Sequence, residues 1–219
     1  MRTRRNSEGY VRLRWILHVC LLGVLLSVAC SRDPAYWGKV VAVRDGDTVE
    51  LEDGRVIRYA GIDTPEVGEP GADSATIMNT ALVLDKNVRL EFGGDKIDRY
   101  NRVVAFVFVD DRMVNLELLK AGWAWCYFFR GNLQYGNQMV RAIEQAMSNE
   151  RGLWGTPRVN DEPYYVGSTR GFRFHRPGCQ SVQQIKVEDI REFPVVDSAL
   201  FKGYSPCKGC KPYTPHLAS

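Results

Sequence analysis

The chain has no internal repeat and no low-complexity tract, which excludes a repeat array as the source of its 219 residues. Once its first segment is set aside, it also has no excess of positive charge. The full chain carries a formal +3. Residues 1–29 hold five arginines against one glutamate, a net +4, which leaves about −1 for the rest. Whole-surface basicity is therefore excluded as a route to nucleic acid, and any positive potential must be local. A long apolar run is missing too: Trp15 to Ala29 is short of the roughly 20 residues a bilayer span needs. With arginines before it and small residues ahead of Cys30, this segment reads as an export signal in preference to a retained anchor.

Leu26-Ser-Val-Ala-Cys30 resembles a bacterial lipobox, with Cys30 as the lipidated residue and mature N-terminus. Ser27 stands where leucine is usual, and Ser27-Val-Ala29 also suits ordinary signal peptidase. The first expectation is a periplasmic or outer-membrane lipoprotein held on a membrane surface by more than one acyl chain; a secreted protein is the second. Ser31, in place of aspartate, reads as an outer-membrane address.

What is present downstream divides into two parts. Lys39 to Arg44, Asp47 to Leu51 and Arg55 to Ile62 are β-rich runs separated by Asp45-Gly46 and Asp53-Gly54, the signal of consecutive hairpins. Ala72 to Lys86 has helical apolar spacing at Ile77, Ala81, Leu82 and Leu84. Val88 to Phe92 and Val103 to Val109 supply two more strands. Asn115 to Ala121 and Gln138 to Glu150 supply two more helices. The expected fold is α+β, a five-stranded OB-type β-barrel with three helices, followed by a small zinc-stabilised C-terminal module. The expected boundaries are a signal at 1–29, a tether at 30–37, the barrel domain at 38–155, a linker at 156–163, the module at 164–213 and a tail at 214–219.

The chemistry lies in Asp45-Gly-Asp-Thr48, Arg58-Tyr-Ala-Gly-Ile-Asp-Thr-Pro-Glu66 and Asp98-Arg-Tyr-Asn-Arg102. Singly, these are a polar turn, a strand arginine, a proline-restricted turn entry and a solvated loop acid. Together they can hydrolyse a phosphodiester. Asp47 and Asp63, with a backbone oxygen of Thr64, offer hard oxygen ligands to calcium. Weak calcium sites suffice outside the cytoplasm, which agrees with export. Arg58 and Arg102 can grip a phosphate through planar two-donor forks. Glu66 can orient or deprotonate the attacking water.

In that order, Asp-Gly-Asp-Thr-Val, Arg-x4-Asp-Thr-Pro-Glu, Asp-Arg-Tyr-Asn-Arg and Met113-Val-Asn115 resemble the staphylococcal nuclease (thermonuclease) family over about residues 38–155. The resemblance implies Asp47, Asp63 and Thr64 as the calcium site, Arg58 and Arg102 as phosphate-binding arginines, and Glu66 as the water-activating residue. Arg99 and Tyr100 fall where the family contacts the nucleotide. The implied activity is calcium-dependent cleavage of DNA or RNA leaving 3′-phosphates. Two features depart from the pattern. The loop after Glu66, Val-Gly-Glu-Pro-Gly-Ala, is short and acidic where the type enzyme is lysine-rich. The aromatic run Trp123 to Phe129 overlaps the family's base-stacking tyrosines without a fixed register. Tyr127 and Phe128 are both stacking candidates, and most of the run is read as core.

In the C-terminal part, His175-x3-Cys179 and Cys207-x2-Cys210 are separated by 27 residues. Three thiolates and one imidazole make a tetrahedral zinc set, and about fifty residues need such a staple. With Cys126, the cysteines left after signal removal and Cys30 lipidation number four, which also allows disulfides in an oxidising compartment. Cys126 lies in the aromatic run of the other domain, which favours a buried thiol there and three cysteines for a metal. The region resembles the Ada-type metal-binding module, ending in Gly203-Tyr-x-Pro-Cys-x-x-Cys210. His175 replaces that module's methyl-accepting cysteine, so the resemblance implies structural zinc and no methyl transfer. Nucleic acid and a protein docked on the module are both open as its partners, and the chain is expected to act as a monomer. The rival readings are a non-catalytic OB-fold nucleic-acid binder and an interaction protein working through the module.

Overall fold

Strand β1 (Trp37–Asp45) turns at Gly46-Asp47 into β2 (Thr48–Leu51), which turns at Asp53-Gly54 into β3 (Val56–Tyr59). β2 pairs antiparallel with both β1 and β3. The short β4 (Ile62–Asp63) leads to helix α1 (Ala72–Val83) and strand β5 (Asn87–Glu91). Next come β6 (Val103–Val109), β7 (Arg112–Met113) and α2 (Val114–Lys120). β8 (Trp125–Cys126) pairs with β4, and α3 (Gly136–Ser148) completes this part. The computed structural model describes residues 36–128, 134–155 and 160–213. The export segment, Cys30, most of the tether, Phe129, linker residues 156–159 and the tail at 214–219 lie outside them. Among the described residues, no helix is long and apolar enough to cross a membrane.

β5 pairs with β1 on one side and β6 on the other, and β6 closes the ring by pairing parallel with β3. The result is the five-stranded closed barrel expected of an OB-type α+β fold. Closure leaves none of the five strands as a free edge. Val40, Val49, Leu51, Ile57, Val88, Leu90 and Phe106 fill the core and are buried essentially completely. Buried Asn115 ties barrel to helix: Val107 N–H donates to its Oδ1 at 3.0 Å, and its Nδ2 donates to Ala60 O at 2.8 Å.

Helix α1 differs from its expected form. It stops at Val83, and it buries Ala72, Ala75, Asn79 and Val83 while Ile77 is 69% exposed. The reason is close approach by small residues. A Cβ at Gly46 would lie 2.7 Å from Ala75 Cβ and 2.9 Å from Thr64 Cγ2, so only glycine lets the β1–β2 turn sit on the helix. Asn79 fixes that turn by donating to Asp45 O at 2.9 Å while accepting from Tyr59 Oη at 2.8 Å.

The C-terminal part is a four-stranded sheet. Its strands are β9 (Tyr165–Ser168), β10 (Arg173–His175), β11 (Ile190–Phe193) and β12 (Ser205–Pro206), in the order β11-β9-β10-β12. Helix α4 (Val196–Leu200) packs beside it. Asn160 to Glu162 lie against this sheet: Val196 N–H donates to Asn160 Oδ1 at 2.8 Å, and Arg176 pairs with Asp161 and Glu162. Barrel and module share one continuous apolar core. Tyr213 stacks on Trp154 with ring centroids 5.8 Å apart, and its hydroxyl donates to Leu153 O at 2.7 Å. Gly203, at φ +79°, lies so close to Phe128 that a Cβ there would be 2.1 Å from a ring carbon.

Candidate active site

Turn and strand geometry bring Asp47 and Asp63 together. Asp47 occupies the two-residue β1–β2 turn, where its N–H donates to Asp45 Oδ1 at 2.9 Å. Asp63 ends β4 next to Thr64, whose N–H and hydroxyl both donate to Asp47 Oδ2, at 2.9 and 3.2 Å. Arg58 on β3 bridges the pair: its Nη2 lies 3.1 Å from Asp47 Oδ2 and 2.8 Å from Asp63 Oδ1. Its Nη1 donates to the carbonyls of Tyr59 and Ile62. Both carboxylates are nearly fully buried. Breaking such a pair by removing one partner typically costs about 3–5 kcal/mol.

The two carboxyl groups are shifted in opposite directions from the ordinary range. Burial pushes the Asp47 carboxyl above its ordinary range, with Arg58 opposing. Burial acts the same way on Asp63, but Arg173, Arg58 and Lys208 together outweigh it and hold that carboxyl below the usual range. Asp47 and Asp63 supply carboxylate oxygens, the donor type that suits a hard divalent cation, and in this structure Arg58 Nη2 lies between them while Arg173 and Lys208 contact Asp63.

Glu66 lies at the rim, with its side chain 56% exposed. A cleft of about 1360 Å³ is lined by these residues and also by Arg99, Tyr100 and Arg102. Arg102 is oriented by Asp98, which accepts from its Nε and backbone N–H at 2.8 and 3.0 Å. Arg99 donates to Tyr100 Oη at 2.6 Å, and the guanidiniums of Arg99 and Arg102 lie 4.7 and 5.3 Å from the Tyr100 ring centroid. Tyr100 is 63% exposed, an aromatic face open to the solvent side of the cleft.

A family model described as staphylococcal nuclease homologue matches residues 56–156. The chain is 33% identical to the thermonuclease of Staphylococcus hyicus over 125 residues, 53% of this chain and 74% of that protein. It is 36% identical over 132 residues to an uncharacterized endonuclease of Haemophilus influenzae, 58% of this chain and 70% of that one. A longer match, 31% over 180 residues, covers 68% of this chain and 83% of an uncharacterized protein of Methanocaldococcus jannaschii. The chain belongs to the staphylococcal nuclease homologue family. It is accordingly a phosphodiester-hydrolysing nuclease.

Within this nuclease, the matched stretch holds Arg58, Asp63, Thr64, Glu66, Arg99, Tyr100 and Arg102. Asp47 precedes it, and the C-terminal module follows it. Asp47 contacts both Arg58 and Thr64, and Arg58 also contacts Asp63; Arg102 lines the same cleft and pairs with Asp98. Cys126 is buried with a free thiol, in line with its expected role as core. Phe128 is also buried, and Tyr127 lines the cleft.

Sequence reasoning missed Arg173 as a cleft residue. Its Nη2 lies 3.0 Å from Asp63 Oδ2, its Nη1 donates to Ser205 Oγ and Pro206 O, and its guanidinium lies 4.4 Å from the Tyr127 ring centroid. A signal was available: strand alternation puts Arg173 on the same face of β10 as His175. Lys208, next to Cys207, is a second such residue: its ammonium contacts Glu66 and lies 3.3 Å from Asp63 Oδ1.

In the module, His175, Cys179, Cys207 and Cys210 each offer a ligand atom, all within 4.8 Å of one another. None of the three cysteines is in a disulfide. The buried Nδ1 of His175 has no hydrogen-bond partner, and burial pushes the Cys210 thiol up to about 12. A divalent metal answers both penalties, because it favours thiolate and takes an imidazole lone pair.

Proposed function

We propose that this nuclease is exported and calcium-dependent, and that it cleaves DNA or RNA to products ending in 3′-phosphate. One observation carries the reading: two buried carboxylates, Asp47 and Asp63, are bridged by a single guanidinium nitrogen of Arg58 in a cleft rimmed by Glu66. Asp47, Asp63 and a backbone oxygen of Thr64 would hold the calcium. The ion would supply a fixed positive charge that polarises the phosphate and stabilises charge building on it. Glu66, solvent-accessible at the rim, orients water and takes its proton. Arg58 and Arg102 bind phosphate oxygens and stabilise the developing negative charge, an effect worth a few kcal/mol for each well-aimed donor. Arg99 and Tyr100 hold the neighbouring nucleotide by charge and ring contact. His175, Cys179, Cys207 and Cys210 hold a structural zinc. Cys30 carries the lipid anchor, which would place the enzyme on the periplasmic side of a membrane.

The test is cleavage of plasmid DNA and of RNA by residues 31–219, with calcium and in calcium-free buffer, beside Glu66→Gln. Calcium-dependent cleavage that the variant lowers by 100-fold or more supports the assignment, since general base catalysis contributes about 10²–10⁴. Full activity in the variant removes Glu66 from the chemistry. DNA retarded on a gel but uncleaved by the wild type would leave a binding module instead.

A further inference from the structure

The barrel is short of positive charge along one side of its cleft. Between Arg58 and Lys86 there is no lysine or arginine, while Asp63, Glu66, Glu69 and Asp73 all fall in that stretch. The barrel residues of that stretch therefore bring Asp63 and Glu66 to the cleft and no further cation. The C-terminal module covers that deficit. Lys208 places its ammonium on Glu66 and 3.3 Å from Asp63 Oδ1, and Lys211 Nζ lies 3.0 Å from Glu69 Oε1.

This wall is built into the fold. Arg173 anchors it through a half-buried ion pair with Asp63, two further acceptors on β12 and the Tyr127 ring. Gly203 packs on Phe128, and Tyr213 on Trp154. Lys208 itself sits between Cys207 and Cys210, so the four-ligand cluster sets its backbone position. Its side chain remains 41% exposed, and an ammonium has three donors on a flexible stem. It can therefore keep one carboxylate contact and turn a donor to an anion in the cleft.

We propose that the C-terminal module is the second wall of the nuclease cleft and that Lys208 binds a backbone phosphate of the substrate beside the scissile one. The proposal rests on the reading of this cleft as the substrate site. It assigns the module a direct part in substrate binding, with the metal cluster acting as the scaffold that presents Lys208.

The test uses the full chain, zinc retained, in calcium-free buffer, with a single-stranded DNA oligonucleotide titrated at several salt concentrations. Lys208→Ala should bind about 3- to 10-fold more weakly at 0.1 M salt. Its slope of log K against log salt should be shallower by about 0.7, the value for one lost phosphate contact to a single strand. Lys208→Arg should restore both quantities, which a merely structural defect would not allow, and exposed Lys186→Ala should match the wild type. Unchanged affinity and slope in Lys208→Ala would overturn the proposal. Tighter binding would overturn it as well, making Lys208 a plug over Glu66. A wild type that binds no oligonucleotide would instead remove the underlying reading of the cleft, and the proposal with it.

Discussion

Gly203→Ala tests most directly whether the module is seated on the barrel. Gly203 has φ +79°, a region that costs a residue with a Cβ about 1–2 kcal/mol. The added methyl would also lie 2.1 and 2.2 Å from two Phe128 ring atoms, with a third at 3.2 Å. Phe128 is buried, so its ring can give way only by disturbing the core, and overpacking of this kind costs about 1–3 kcal/mol. The two effects together predict a loss of about 2–5 kcal/mol. The assay is urea unfolding followed by tryptophan fluorescence, which reports on Trp154 beneath Tyr213. The shared apolar core predicts a single transition for barrel and module. Phe128→Leu makes room for the methyl, so the double variant should be more stable than the sum of the single losses by about 0.5–3 kcal/mol. A loss below 1 kcal/mol for Gly203→Ala, or strict additivity in the double variant, would refute the contact and with it the module's seat on the barrel.

Asn115→Ala should cost about 2–5 kcal/mol in the same assay, because it strands the Val107 N–H and the Ala60 carbonyl, each buried; a loss under 1 kcal/mol would show that water replaces the side chain. Purified protein should contain one zinc per chain by elemental analysis, and Cys207→Ser should lower both that content and the melting temperature; a metal-free wild type with an unchanged melt would remove the zinc assignment. Asp63 is held below the ordinary carboxylate pKa of 3.8 against its burial, with Arg173 the largest lowering influence. Its contribution to stability is therefore present above 3.8 and lost as pH falls through the depressed folded-state value. Arg173→Met should move that acid loss to higher pH, and an unshifted acid-unfolding curve would show that Arg173 does not hold this carboxylate.

The two levels of description divide along a physical line. Local backbone chemistry was legible in the sequence: Asp-Gly turns between β-rich runs gave the hairpins, and the spacing of Arg58, Asp63 and Glu66 marked the chemistry because strand ends and turns fix their neighbours. The His-x3-Cys and Cys-x2-Cys pairs could be joined because a metal demands a fixed number of ligands. Helix α1 was legible in type but not in facing, since Ile77 looks like core by its polarity while the close approach of Gly46 favours Ala75 and Asn79 on the buried side. Linear order also could not reveal that Arg173, 110 residues after Asp63, reaches the same carboxylate. By itself, the sequence determined the barrel's strands and turns, the residue types of a phosphodiester-cleaving site and the four-ligand cluster, all governed by interactions close along the chain or by motif chemistry. Only the tertiary structure decided that module residues line the same cleft and that Lys208 meets Glu66, because a long-range ion pair depends on how two sheets pack and leaves no periodicity to read.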